Sequence, residues 1–400
     1  KKKYEVIFPQ DENGRCIKIF NVQDAIITGK NIFYPNTLIY SMYDKEIFKP
    51  LSEKAMSLSK IDEEVQFIYE QKTDLKQIDL PVFYFIYDTE NYFHFIYDTL
   101  PYLISYFELK LKIKNLKLLM NFPNKEKLEF YDFVLDTLRM LDVTEKDILI
   151  VKNDEIYSNV FISTSYTHGH DSNSPPRKEI FELYNKIKNK VENKKHLPSK
   201  IYISRRTEIH NNFSNIGTNY TSRRKMINED LLVELLKNKG FVEVFTENMT
   251  MTEKIQLFQN ADFIIGPIGG GLVNVVFSGK DTKLITIVSP LFLEINYRFK
   301  FCLESVNNHF FHHTKHIDHE NFKKYSRVLC GNIVGEIIDK RYDMINIIYD
   351  NDHVSGWNIS RDFNEIWINK NECIELDSGL NSEFMVNLDI FDKYLNEILC

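Results

Sequence analysis

The sequence predicts an α/β protein of two lobes with a small β-rich C-terminal appendage, and three observations carry that expectation. Apolar runs of strand length alternate with helix-spaced apolar stripes across 81–175 and again across 199–335. Between them that alternation lapses around 165–198, where 168–177 has no apolar period and holds two prolines. After about residue 336 the remaining runs are short and separated by Asn, Asp and Gly. A 400-residue chain, at ~150 residues per domain, has room for two or three such units.

In chain order, 1–80 reads as strands and irregular segments, with apolar runs at 4–8, 17–22 and 66–69. The run 82–87 reads as a strand, and 91–107 as a helix on the spacing of Phe93, Tyr97, Leu100 and Ile104. A strand at 116–120, a helix at 125–141 and strands at 147–151 and 159–163 complete the first α/β lobe. A charged linker helix follows at 178–193, within a 176–198 connection that ends at Pro198. The second lobe reads as strand 200–204, helix 229–239, strand 242–245, helix 252–260, strand 262–265, a short helix from Gly271 and strand 283–288. Its helices carry end signals: Asn228 as cap with Glu229 and Asp230 in the first turn, Gly240 as terminator, and a capping box at Thr250-x-x-Glu253. In the appendage, 344–349, 365–368, 372–376 and 383–388 read as strands and 390–399 as a closing helix.

Composition removes several function classes. The chain is 43% hydrophobic and 27% charged, which is globular rather than disordered or fibrous. A net charge of −7 lacks the basic excess of a nucleic-acid binder, so nucleic acid is not expected as a partner. Five scattered cysteines without CxxC spacing suggest free thiols in a reducing compartment. No run approaches the ~18 uncharged apolar residues of a membrane span, and no signal peptide precedes Lys1. Because position 1 is not Met, the sequence leaves room for an anchor ahead of it.

Glycine is scarce, at 14 in 400 residues, yet Gly266, Gly269, Gly270 and Gly271 fall within six positions. They lie in a strand–turn–helix pattern, where backbone amides can approach an anion closely. The pattern is neither a Walker A loop nor G-x-G-x-x-G, which disfavours P-loop hydrolysis and nicotinamide chemistry. A tight turn without ligand is the competing reading. Upstream, Ser204, Arg205 and Arg206 close a strand and would bring a hydroxyl and two guanidiniums to the carboxyl edge of the sheet, where open α/β sheets bind ligands.

These pieces resemble the glycosyltransferase 61 (DUF563) family. Its Y-I-S-R strand is similar to Tyr202-Ile203-Ser204-Arg205; its Arg and N-E-x-x-L to Arg223 or Arg224 and Asn228-Glu229; its E-Q-I-x-L-F helix and following strand to 253–266. Its G-x-H-G-A-G-L-x-N signature resembles 266–274, and its Y-H-x-x-x-[DE]-x-L-P segment resembles 91–101. The chain departs from the pattern at Ile268 for histidine, Gly270 for alanine and Tyr102 for arginine, which points to a subfamily with a different donor sugar.

The resemblance implies a GT-B-like architecture: two Rossmann-like lobes facing a cleft, acceptor side first and nucleotide-sugar side second. It further implies inverting, metal-independent transfer with no cofactor beyond a nucleotide-sugar co-substrate, onto an oligosaccharide or glycolipid acceptor. Such an enzyme would build capsule or lipopolysaccharide in the cytoplasm, peripherally at the inner face of the membrane. Transfer needs a base for the acceptor hydroxyl and positive charge or amide dipoles for the departing phosphate. His94 and Asp98, four apart on one predicted helix, are the candidate catalytic pair. Ser204, Arg205, Arg206, Gly269, Gly270, Gly271, Asn274 and Glu294 are the candidate donor-binding residues. The 168–171 loop is a second source of a base. His312, His316 and His319 have the spacing of one helical face, but no metal site is expected from them. Two alternatives stand beside this reading: a sugar-phosphate or polyol-phosphate transferase, and a non-catalytic glycan- or nucleotide-binding protein.

Overall fold

A computed structural model describes residues 4–28, 31–34, 37–41, 75–85, 89–123, 128–167, 175–194, 196–206, 224–289, 292, 297–316, 327–330, 333–349, 364–377 and 384–399. The chain forms two compact units, the first comprising 1–192, 212–218 and 250–253 and the second 193–211, 219–249 and 254–400. Both are mixed α/β structures around sheets with parallel strands, in agreement with the predicted class.

The first unit holds β1 (Tyr4–Phe8), β2 (Ile17–Thr28), β3 (Asn31–Tyr34), β4 (Thr37–Ser41), β5 (Lys76–Ile78), β6 (Val82–Tyr84), β7 (Lys117–Met120), β8 (Ile148–Ile150) and β9 (Glu155–Ser163). They form one sheet in the order β4-β3-β2-β9-β6-β7-β8, with β1 beside β2 and β5 beside β9. Strands β6 to β9 pair in parallel, whereas β2 is antiparallel to β9, so strands from the first eighty residues extend the α/β sheet itself. Val82, Phe83 and Tyr84 are fully buried, as expected of a parallel strand covered on both faces. The run 66–69 lies outside the described residues.

The single helix expected at 91–107 is instead two pieces, a π-helical turn at His94–Thr99 and α1 at Tyr102–Lys112. Pro101 separates them because it has no N–H to donate and its ring obstructs the preceding turn. The ladder widens accordingly, and the Leu100 N–H reaches back to the Phe95 carbonyl at 2.8 Å. Two further helices, α2 (Asp132–Met140) and α3 (Glu179–Asn189), belong to this unit. The predicted linker helix is α3, and the Tyr184 hydroxyl on it donates to the Ile96 carbonyl at 2.8 Å.

The second unit is built on a five-stranded, fully parallel sheet of β10 (Lys200–Ile203), β11 (Val242–Val244), β12 (Phe263–Pro267), β13 (Lys283–Val288) and β14 (Asn308–His313). Its spatial order is β11-β10-β12-β13-β14, which in chain order is 2-1-3-4-5. Helices α4 (Glu229–Asn238), α5 (Met251–Asn260, of which 254–260 belong to this unit) and α6 (Tyr297–Leu303) and a 3-10 helix at Gly270–Phe277 complete the wound layers. The Thr250–Glu253 capping box forms as expected: Glu253 accepts from the Thr250 N–H at 2.8 Å and donates its own N–H to the Thr250 hydroxyl at 3.2 Å. Asn228 does not cap α4. Its side-chain amide and carbonyl instead bond the carbonyl and N–H of Val386, at 2.8 and 3.1 Å.

Beyond β14, β15 (Lys315–His316) pairs with β21 (Phe384–Met385). A separate antiparallel sheet comprises β16 (Arg327–Cys330), β17 (Ile333–Arg341), β18 (Met344–Tyr349), β19 (Asn364–Asn369) and β20 (Cys373–Asp377). Val328, Ile337, Ile345 and Ile347 form its core. Cys330 and Cys373 face one another in its ladder and are joined by a disulfide, which corrects the expectation that all five thiols are free. The closing helix, α7 (Leu388–Leu399), belongs to a different core: its Phe391 and Leu395 pack with Tyr202, Leu232, Ile265 and Ile285 of the second unit. His312 lies in strand β14, with its ring against Phe391 and Tyr394, so the helical spacing of the histidines is not realised there; His319 lies outside the described residues. No three His, Cys, Asp or Glu side chains among the described residues form a metal-binding group.

Candidate active site

The 2-1-3-4-5 order has a topological switch point. From β10 the chain passes outward to β11, then returns to the other side of β10 as β12. The carboxyl ends of β10 and β12 therefore diverge, leaving the crevice where open α/β sheets bind ligands. Ser204 and Arg205 leave β10 here, and Ile268 and the three glycines leave β12.

Arg205 runs across this opening. Its Nη1 donates to the Ile268 carbonyl at 2.9 Å, and a Cβ at Gly269 would stand 3.1 Å from the Arg205 Cδ and 3.4 Å from its Cζ. Gly269 thus makes the space in which the guanidinium lies. Burial lowers the Arg205 pKa, opposed by the nearby charges of Glu229, Tyr202 and Glu247. Gly271 is closed in more tightly, since its Cβ would meet the Thr246 hydroxyl at 2.8 Å and the Ile203 Cγ2 at 2.9 Å. Gly270 differs from both, because a Cβ there would meet nothing within 4 Å. Gly270 and Gly271 open the 3-10 helix, whose leading amides have no partner within the helix itself.

The other predicted donor residues divide. Ser204 is buried and its hydroxyl donates to Glu229 Oε1 at 3.2 Å. Asn274 is fully buried and donates to the Gly271 carbonyl at 2.9 Å, bracing the turn from within. Arg206 forms a fork with Glu243, Nε to Oε1 at 2.6 Å and Nη2 to Oε2 at 2.7 Å, which raises the Arg206 pKa and lowers that of Glu243. Glu294 and Arg223 lie outside the described residues, and the Arg224 guanidinium lies 4.7 Å above the Phe292 ring. Ile268 has a buried side chain; where the family pattern has histidine, this chain presents a backbone carbonyl to Arg205.

In the first unit, β6 and β9 are parallel neighbours, and the segments after their carboxyl ends carry a second cluster. His94 Nδ1 and Asp98 Oδ2 are 2.7 Å apart across the π-helical turn. The other carboxylate oxygen, Oδ1, accepts from the Thr167 hydroxyl at 2.7 Å. Asp98 is wholly buried, while the His94 side chain is 23% exposed, so the imidazole reaches solvent and its orienting group does not. With Asp98 ionised, Nδ1 carries the shared proton and Nε2 is the basic nitrogen. Arg15, buried and with its pKa lowered by that burial, donates to the carbonyls of Thr167 at 3.3 Å and Pro175 at 3.1 Å, which anchors Thr167. The alternative base segment at 168–171 lies outside the described residues.

Sequence reasoning missed Thr167, Glu229 and Glu243. Thr167 carries no signal, because it meets Asp98 only through the strand order. Glu229 did have one: Tyr202 and Ser204 point to the same side of β10, and two buried polar groups on one face require an acceptor.

No curated protein matches the chain. A protein-family comparison matches residues 92–285 to Glycosyltransferase 61. That match runs from the residue before Phe93 and His94 through the π-helical turn, β10, α4, α5 and the glycine turn to the middle of β13, enclosing both clusters. The match over this segment, just under half of the chain, supports assignment to the glycosyltransferase 61 family.

Proposed function

We propose that this glycosyltransferase takes its sugar from a nucleotide-sugar donor and transfers it, with inversion and without a metal, to a hydroxyl of an oligosaccharide or glycolipid. The observation that carries the reading is the switch-point arrangement in which Arg205 lies over Gly269 beside the opening amides of the 3-10 helix. A guanidinium and backbone amides at that position suit a diphosphate leaving group. The parallel sheet β10–β14 of the second unit and the parallel pairing of β5 to β9 in the first support a GT-B type.

In this mechanism the acceptor oxygen attacks the anomeric carbon as the bond from that carbon to the phosphate oxygen breaks. His94 Nε2 takes the acceptor proton, Asp98 stabilises the resulting imidazolium, and the nucleotide leaves with the bonding electron pair. Asp98 acts as a positioning residue and Thr167 holds its second oxygen.

The test is donor turnover. Incubation with UDP-, GDP- and CMP-sugars should release nucleotide slowly from one of them, and faster with an acceptor glycan. Tight nucleotide binding with no turnover would replace this reading with that of a binding protein. Arg205→Ala should weaken nucleotide binding by at least about 1.5 kcal/mol, the worth of a charge-assisted hydrogen bond.

A role in capsule or lipopolysaccharide synthesis and a cytoplasmic, membrane-peripheral location complete the proposal. No helix among the described residues is long and apolar enough to cross a membrane. The Cys330–Cys373 bridge favours a second location, an oxidising compartment. Trapping thiols in cells before lysis, then mapping peptides without reduction, distinguishes the two.

A further inference from the structure

We propose that Glu229 is the positioning residue that sets Arg205 for the donor phosphates, an assignment that rests on the phosphate-binding role given to Arg205 above. Three donors converge on its Oε1: the Tyr202 hydroxyl at 2.9 Å, the Ser204 hydroxyl at 3.2 Å and the Arg205 N–H at 2.9 Å. The residue is 5% exposed. A buried carboxylate is costly unless its hydrogen bonds are made, and here they are made to the residues at which β10 ends.

Arg205 is consequently held at both ends. Glu229 fixes its backbone, and the Ile268 carbonyl fixes its guanidinium. Rotation of the strand exit by even one hydrogen bond would carry the guanidinium away from Gly269. Asn228 pins the start of α4 through its two bonds to Val386, so Glu229, the first residue of that helix, projects from a fixed point. The reach matters as well. Aspartate is one methylene shorter and from the same position falls short of all three donors. Glutamine keeps an oxygen at Oε1, where every one of these bonds ends.

The full chain is tested by calorimetric titration with inorganic diphosphate and, in parallel, UDP and GDP. Glu229→Ala and Glu229→Asp should each weaken binding at least tenfold and raise the donor KM by a similar factor, with the acceptor KM unchanged. Glu229→Gln should restore affinity to within about threefold of wild type, a rescue that a simple loss of packing would not show. If Glu229→Ala fails to fold, the Asp and Gln pair carries the test. Wild-type affinity in a folded Glu229→Asp or Glu229→Ala protein, alongside weakened binding by Arg205→Ala, overturns the role of Glu229 alone. Wild-type affinity in Arg205→Ala overturns the phosphate reading itself, and this assignment with it.

Discussion

Adjacent glycines in the 266–271 turn should respond oppositely to the same methyl group. At Gly271 a Cβ would stand 2.8 Å from the Thr246 hydroxyl and 2.9 Å from the Ile203 Cγ2, both closer than real Cβ contacts allow. Thr246 is buried and Ile203 lies in β10, so neither can swing aside freely. Overpacking of this kind costs about 1–3 kcal/mol. At Gly270 the same methyl meets nothing within 4 Å, and its backbone needs no positive φ, so alanine there should be neutral within ~0.5 kcal/mol. The readout is native-state hydrogen exchange of the β12 and β13 amides by mass spectrometry, which reports the opening free energy of that sheet. Gly271→Ala should speed their exchange by roughly five- to 150-fold, and Gly270→Ala should leave it unchanged. Removing the clashing hydroxyl by Thr246→Ala in the Gly271→Ala background should recover at least ~0.5 kcal/mol, a coupling expected of residues in contact. Equal exchange in the two single variants would refute the claim that packing, rather than ligand approach alone, dictates Gly271.

Three further outcomes follow from other parts of the molecule. Asp98→Asn and His94→Ala should each lower transfer by about 10²–10⁴-fold while sparing nucleotide affinity, measured by single-turnover kinetics and titration; normal rates in both would move the base elsewhere. Burial pushes the His309 pKa down to about 4, with its Nε2 3.2 Å from the Thr286 hydroxyl. The unfolded chain, with histidine near 6.5, binds this proton more readily, so stability should fall as pH drops from about 6.5 to 4, by up to about 3 kcal/mol; the loss should be smaller in His309→Gln. Removing the disulfide by Cys330→Ser with Cys373→Ser opens a loop of sequence separation 43 and should destabilise the small sheet by up to about 4 kcal/mol, read as faster exchange of β16 and β20 amides with the parallel sheet β10–β14 unaffected.

Much of the second unit was legible because its signals are local. The strand at 283–288 begins and ends as expected, and α5, which enters this unit at residue 254, is announced by the Thr250–Glu253 box through a three-residue spacing. The π-helical turn was not legible from periodicity, because Phe93, Tyr97 and Leu100 fit an α-helix; Pro101 was the available clue. The Arg205 and Arg206 pair shows another limit. The sequence presents two equivalent guanidiniums, but strand alternation sends one toward Gly269 and the other to Glu243 on the neighbouring strand. Thr167 and Asp98 are 69 positions apart and meet only because β6 and β9 are neighbours, an order no local pattern encodes.

The pairing of β15 with β21 has a structural consequence of its own. The antiparallel register of Lys315 with Met385 and His316 with Phe384 puts the departure and return points of the small sheet side by side, about 5 Å apart. Since α7 then completes the core of the second unit, the intervening sheet is a guest module spliced into a host fold, tethered at both ends. A module grafted in this way can be cut out and its stumps joined by a short turn without unpicking the host. Unlike a terminal domain, it is joined to the host at both of its ends.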